Sequence, residues 1–219
     1  MSNSPVDQSP DAALLPTLQQ QLERMRAMHY KYSDLFYKLI LVGLLALIVM
    51  AMASLTEPLR ATVLLIPFFT IYIGVQSAYF LSYTFFARVY ATGIEKRINE
   101  ILRRDLLIAH RIEAAYLYPL SGPQFAGVMP RLGQTFIAFI TVHFWLLGAA
   151  IIALSTYRAW QLLPDLARTF PPANYYLIAL AGWSLLHLIY LIWYFGARRH
   201  ERRIMRIVAD AYGTDYENL

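Results

Sequence analysis

Four stretches of this 219-residue chain contain no Asp, Glu, Lys or Arg, and they limit what it can fold into. They are residues 39–56, 61–87, 132–157 and 169–197. A helix needs roughly 20 apolar residues to cross the hydrocarbon core of a bilayer. The last three windows meet that length with their flanks. The first, LILVGLLALIVMAMASLT, is shorter but dense in Leu, Ile and Val. With 58% hydrophobic and 15% charged residues, the chain is too apolar for an ordinary soluble domain of this size. The sequence therefore predicts an all-α integral membrane protein with four transmembrane helices, at about 38–56, 60–87, 132–157 and 173–197, arranged as two hairpins.

The positive residues orient these helices. Four Lys and Arg precede the first window, seven lie between the second and third, and five follow the fourth, while the other two connections hold three. Sixteen against three predicts that both termini and the long central loop face the cytoplasm of a multi-pass cell-membrane protein. The net charge of +5 is concentrated at these membrane flanks. It points to anionic lipid headgroups as partners and not to nucleic acid, with Arg88, Lys96, Arg97, Arg198, Arg199, Arg202 and Arg203 as the headgroup contacts. The first window follows a long polar segment and has no small-residue cleavage pattern, so it reads as a membrane helix and not a signal peptide. The absence of cysteine excludes disulfides, thiolate metal sites and cysteine nucleophiles.

Residues 1–16 are polar and patternless and predict a disordered tail. Thr17 and Gln20 have capping-box spacing just after Pro16, a helix-start signal. Leu18, Leu22, Met25, His29, Tyr32 and Phe36 then recur at helical spacing, which predicts an amphipathic cytoplasmic helix over 17–37. Its apolar face is expected on the membrane surface or on its own protein, with a partner-binding coiled coil as the alternative. In 88–131, Ile94, Ile98, Ile101, Leu102, Leu106, Ala109 and Ile112 form another stripe. The second membrane helix is therefore expected to continue as one long amphipathic helix, with Glu100 and Arg104 paired across a turn, before a Pro/Gly-rich return. A basic C-terminal helix over 198–219 completes the cytoplasmic layer. On the opposite side, residues 158–173 read as a surface loop. Pro67 is expected to free the carbonyl of Val63 and kink its helix.

Polar groups inside membrane helices are rare and often functional. QSAYFLSY (76–83) and HLIYLIWY (187–194) each place a strong hydrogen-bonding residue ahead of two tyrosines and an arginine at matching spacings. Antiparallel pairing of neighbouring helices predicts one depth for Gln76, His143 and His187, a midplane polar cluster. Tyr72, Tyr79 and Tyr83 share a stripe with Gln76, and Trp183, Ser184, Tyr190 and Tyr194 share one with His187. Both stripes are expected to face the bundle interior, where Gln76, His143 and His187 read first as packing glue, hydrogen-bonding across helices, and second as the lining of a proton, ion or small-solute path.

His110 and Glu113 stand one turn apart and, with the acids at 95, 100 and 105, read as a solvated helix face. No phosphate-binding loop, nucleophile elbow or metal-binding motif is present, so neither catalytic nor metal residues are assigned. These features predict a non-enzymatic polytopic protein acting as an oligomeric scaffold, effector or pore subunit, through copies of itself or a membrane-protein partner. The alternative is a small transporter or proton-linked membrane protein using the Gln/His site. A lesser one holds a b-type haem between His143 and His187, the only cofactor considered.

Overall fold

A computed structural model describes residues 12–116, 136–196 and 199–213, and every regular element among them is helical. The main helices are α1 (Leu15–Ala53), α2 (Ile66–Leu102), α3 (Ala109–Tyr116), α4 (Phe136–Thr169), α5 (Tyr176–Leu191) and α6 (Arg199–Tyr212). Four segments are long and apolar enough to cross a membrane: Leu15–Ala53, Glu57–Leu102, Val142–Thr169 and Pro171–Tyr194. At 1.5 Å per residue, α1 and α2 are each roughly 55–60 Å long, against about 30 Å for a hydrocarbon core. Each therefore has an apolar half and a half that runs on into a polar layer.

α1 and α2 pack antiparallel along their length. In the polar layer, Leu18 and Met25 of α1 share a buried cluster with Ala91, Ile94 and Ile98 of α2. The stripe read from Leu18 to Phe36 is the face α1 turns to α2, so this helix rests on its own protein. Further along, the rings of Tyr32 and Tyr83 stack at 4.5 Å. In the apolar half the backbones draw close at Gly43, where an added Cβ would lie 2.7 Å from Cδ1 of Ile73.

α2 is the central mast. Besides α1, it carries α3 and α6 in the polar layer and α4 and α5 in the apolar half. Leu47 of α1, Val63 just before α2, Ile66 of α2, Ala159 and Leu162 of α4, and Tyr176 and Leu180 of α5 form the core at the end away from the polar layer. α4 and α5 meet mainly through the Pro171–Tyr175 turn that joins them; both pack on α2 more than on each other. The arrangement is a fan around α2 and not a closed four-helix bundle. Towards the polar layer α4 leaves Phe139, His143, Trp145 and Leu146 exposed.

Several local expectations are corrected. α1 starts at Leu15 after a short 3-10 turn, with Pro16 in its first turn and no side-chain cap, so Thr17 and Gln20 form no capping box. Pro67 does not kink a helix: it lies in the first turn of α2, where its missing N–H costs no helical bond. A nine-residue 3-10 segment, Glu57–Leu65, precedes it, and the Val63 carbonyl is satisfied by the N–H of Ile66. Residues 158–169 are helix and not loop, because α4 continues through Pro164. The π-helical segment Ile192–Gly196 extends α5.

The central amphipathic helix is also broken. α2 ends at Leu102, and Arg103 adopts the left-handed conformation (φ 50°). Asn99 then holds the turn: its Oδ1 accepts the N–H groups of Leu106 (3.1 Å) and Leu107 (2.9 Å), and its Nδ2 donates to the Leu107 carbonyl (2.8 Å). α3 doubles back, which leaves Leu106 and Ile112 exposed instead of continuing the stripe. Glu100 pairs with Arg97 (3.3 Å) and not with Arg104. The tail 1–11 and the Pro/Gly segment 117–135 lie outside the described residues.

The close approach at Gly43 gives a direct test of the α1–α2 packing. Gly43→Leu is expected to cost about 1–3 kcal/mol through overpacking, read as a lowered thermal midpoint in detergent. Gly74→Ala, where an added Cβ meets open space, is expected to be neutral or stabilising.

Candidate functional site

The polar residues singled out in the apolar half do not form one cluster. The buried face of α2 runs through Ile66, Thr70, Ile73 and Ser77. The stripe of Tyr72, Gln76, Tyr79 and Tyr83 is one residue out of phase with it, about 100° around the helix. Gln76 and Tyr83 are therefore half-buried at the edge of the packing face, while Tyr72 and Tyr79 are each 48% exposed. On α5, Tyr176 and Leu180 pack inward and Trp183, Ser184 and His187 follow half-buried. Tyr190 is exposed, and half-buried Tyr194 stacks on His200. The expectation that both stripes face inward thus fails for Tyr72, Tyr79 and Tyr190.

Heights follow from packing. Gly43 faces Ile73, so on the antiparallel pair Gln76 is level with Ile40, half a turn from Lys38. Gln76 accordingly stands near the polar end of the charge-free part of α1 and not at its middle. Ile66 and Tyr176, the first residues of α2 and α5, share one core, so the two helices run parallel, and the Phe68 ring between Tyr176 (5.9 Å) and Trp183 (6.2 Å) is level with residues 179–180. Eight residues further on, Gln76 is level with His187, and the two matching motifs lie side by side. The Nδ1 of His187 donates to the Trp183 carbonyl (2.8 Å). His143 is exposed on α4 against Phe139. Among the described residues no hydrogen bond, ion pair or ring contact joins any two of Gln76, His143 and His187.

The polar layer holds a different site, a buried charge network joining α1, α2 and α3. The guanidinium of Arg26 on α1 pairs with both Glu95 of α2 and Glu113 of α3. Arg88 of α2 donates from Nε to the second oxygen of Glu113 (3.1 Å). His110 of α3 donates to Glu95 Oε2 from its backbone N–H (3.0 Å) and lies 3.1 Å from the same oxygen through Nδ1. The side chains of Arg88, Glu95 and His110 are only 1%, 3% and 5% exposed. Two guanidinium groups balance two carboxylates, the condition under which buried charge is tolerated.

The sequence reading is corrected here. Arg88 does not face lipid headgroups, because Glu113 and the returning α3 cover it. Glu95, His110 and Glu113 are not a solvated face, because the break at Arg103 turns α3 onto α2. The overlooked signal is Arg88, Thr92, Glu95 and Asn99, spaced four, three and four: a polar stripe on one face of α2, all buried. The other proposed headgroup residues are mixed. Lys96 and Arg97 are half-buried, Arg202 and Arg203 are exposed on α6, Arg199 opens α6, and Arg198 lies outside the described residues.

Electrostatics follow from this geometry. Burial acts to raise the carboxyl pKa of Glu95, but hydrogen bonds from His110 and Arg26, with the charge of Arg26, hold it below the usual carboxylate range. His29 on α1 is pushed down by burial and by the positive charges of Arg26 and Arg88, against the opposing pull of Glu113 and a backbone bond at Thr84. Nearby, the Tyr212 hydroxyl of α6 donates to Gln21 of α1 (3.0 Å) and meets the Tyr90 hydroxyl of α2 (3.0 Å). With both carboxylates occupied by guanidinium groups, the network is suited to fixing helix register and not to proton transfer.

A scan against protein-family models finds no match to this chain, and comparisons with curated proteins and with solved structures find none either.

Both lowered pKa values give the same sign. Between the folded and unfolded values the unfolded chain binds more protons, so stability rises with pH there and is lost on acidification. Starting from pH 8, the thermal midpoint is expected to hold until about pH 6.5, where unfolded His29 begins to protonate. It falls again below about pH 4.3, as Glu95 protonates more readily unfolded than folded. His29→Gln should remove the first loss; a midpoint that rises on acidification would contradict the sign.

Proposed function

We propose that this chain is an integral membrane protein that works as an assembly: a non-enzymatic oligomeric scaffold, effector or pore subunit. The observation that carries this reading is the set of hydrogen-bonding groups left uncovered within the apolar segments of one chain. His143 is exposed, and Tyr79 and Tyr190 are 48% and 50% exposed. Hydrocarbon offers no partner for such groups, so a polar face there is covered by another protein surface or by water. Phe139 and Leu146, exposed beside His143 on α4, offer an apolar surround for a second copy.

The lysine and arginine distribution supports a cell-membrane location, with two membrane hairpins and with the polar layer and both termini on the cytoplasmic side. The exposed Arg202, Arg203 and Arg206 of α6, which follows α5 closely, suit anionic headgroups on that side. A second reading, a small transporter or proton-linked protein, is favoured by the levelling of Gln76 with His187.

The particle mass in nanodiscs separates the readings. Assembly is expected to give a defined multimer, and Tyr190→Leu combined with His143→Leu is expected to shift it towards smaller particles. Strictly monomeric wild-type particles would overturn the proposal. If multimers persist while His187→Leu abolishes solute flux in liposomes, the transporter reading gains.

A further inference from the structure

The turn between α2 and α3 borders an open cleft of about 530 Å3. Its walls carry Lys96, Arg103, Arg104 and Arg111 against only Glu100 and Asp105. The acids are already engaged: Asp105 pairs with Arg111 at 2.5 Å, and Glu100 with Arg97. Arg103 and Arg104 make no ion pair among the described residues and are exposed in the cleft. The surplus positive charge is therefore available to a ligand.

A second observation points the same way. His110 lines this cleft although its side chain is only 5% exposed. Glu95 occupies its Nδ1, which fixes the ring. Glu95 thereby sets the orientation of an imidazole at the wall of the basic cleft. The backbone adds a third. Arg103 holds the left-handed position that ends α2, where glycine is the residue best suited to the conformation. A side chain is kept there at a conformational cost, and it reaches into the cleft.

We propose that this cleft binds a soluble ligand carrying a phosphate group, with Arg103 and Arg104 as charge contacts and the ring of His110 as part of its wall. Its height decides between a soluble phosphate and a lipid headgroup. Charge first returns to α2 at Arg88, and fifteen further residues place Arg103 about 22 Å beyond that point. The headgroup zone extends only roughly 5–8 Å outside the hydrocarbon on each side. The cleft volume falls in the range of small-molecule sites, about 300–1,000 Å3.

Pyrophosphate is the probe, titrated calorimetrically into the full chain in phosphatidylcholine nanodiscs at low salt. Saturable binding at one site per chain is expected. Arg103→Gly should weaken it at least tenfold while the thermal midpoint holds or rises, because glycine suits that backbone. Arg203→Ala with Arg206→Ala on α6 should leave the affinity within about twofold. Adding phosphatidylglycerol to the nanodiscs should not change it. The proposal is overturned if binding does not saturate, if Arg103→Gly leaves it intact, or if the α6 substitutions remove it equally. Competition by phosphatidylglycerol would overturn the assignment to a soluble ligand.

Discussion

The contact between Arg26 of α1 and the carboxylates of Glu95 and Glu113 is the interaction on which the polar layer depends. Arg26 reaches into the network from α1, and it bridges acids from two other helices. Without it two buried or half-buried carboxylates would keep only Arg88 and His110 as partners. Removing one partner of such a network strands the other charge in a poorly solvated site, which typically costs about 3–5 kcal/mol. The network also specifies geometry. A hydrophobic seam of Leu18, Met25, Ala91, Ile94 and Ile98 tolerates sliding by a turn, whereas guanidinium forks and paired carboxylates do not.

Register carried from this layer determines the rest. Once Arg26 is set against Glu95, Tyr32 stacks on Tyr83 and Gly43 meets Ile73, so the apolar halves of α1 and α2 are aligned from the polar end. α6 returns to α2 through Val208, against Phe85 and Val89, and through Tyr212 at Tyr90. The network and the proposed anion cleft share Glu95 and His110. Pinning the α2–α3 turn therefore both completes the buried charges and orients the ring that lines the cleft. The apolar half is looser: its helices gather around α2 at one end and leave polar side chains uncovered near the other.

The parts of this fold legible in the sequence are those set by solvent partition. Charge-free windows located the four long apolar segments, and the stripe from Leu18 to Phe36 identified the face that packs. What escaped depended on contacts between distant residues. The break at Arg103 has no glycine or proline to mark it; it rests on Asn99 capturing backbone seven and eight residues ahead. Arg88 and Glu113 could be matched only after that reversal. The stripe through Gln76 was read as inward because hydrogen-bonding residues repeat along it. Packing instead selected the adjacent stripe of Ile73 and Ser77, where smaller or aliphatic side chains let helices approach. The matching motifs at 76–83 and 187–194 marked two helices that lie level, but not which side chains they bury.

The most direct measurement is a double-mutant cycle on Arg26 and Glu95, followed by thermal or denaturant unfolding in detergent. Arg26→Met and Glu95→Gln are each expected to lose about 3–5 kcal/mol. The double variant should lose well under the sum, because neither charge is then left alone, for a coupling of roughly 1.5 kcal/mol or more. Additive losses, or two single variants as stable as the wild type, would contradict a structure held in register by that buried pair.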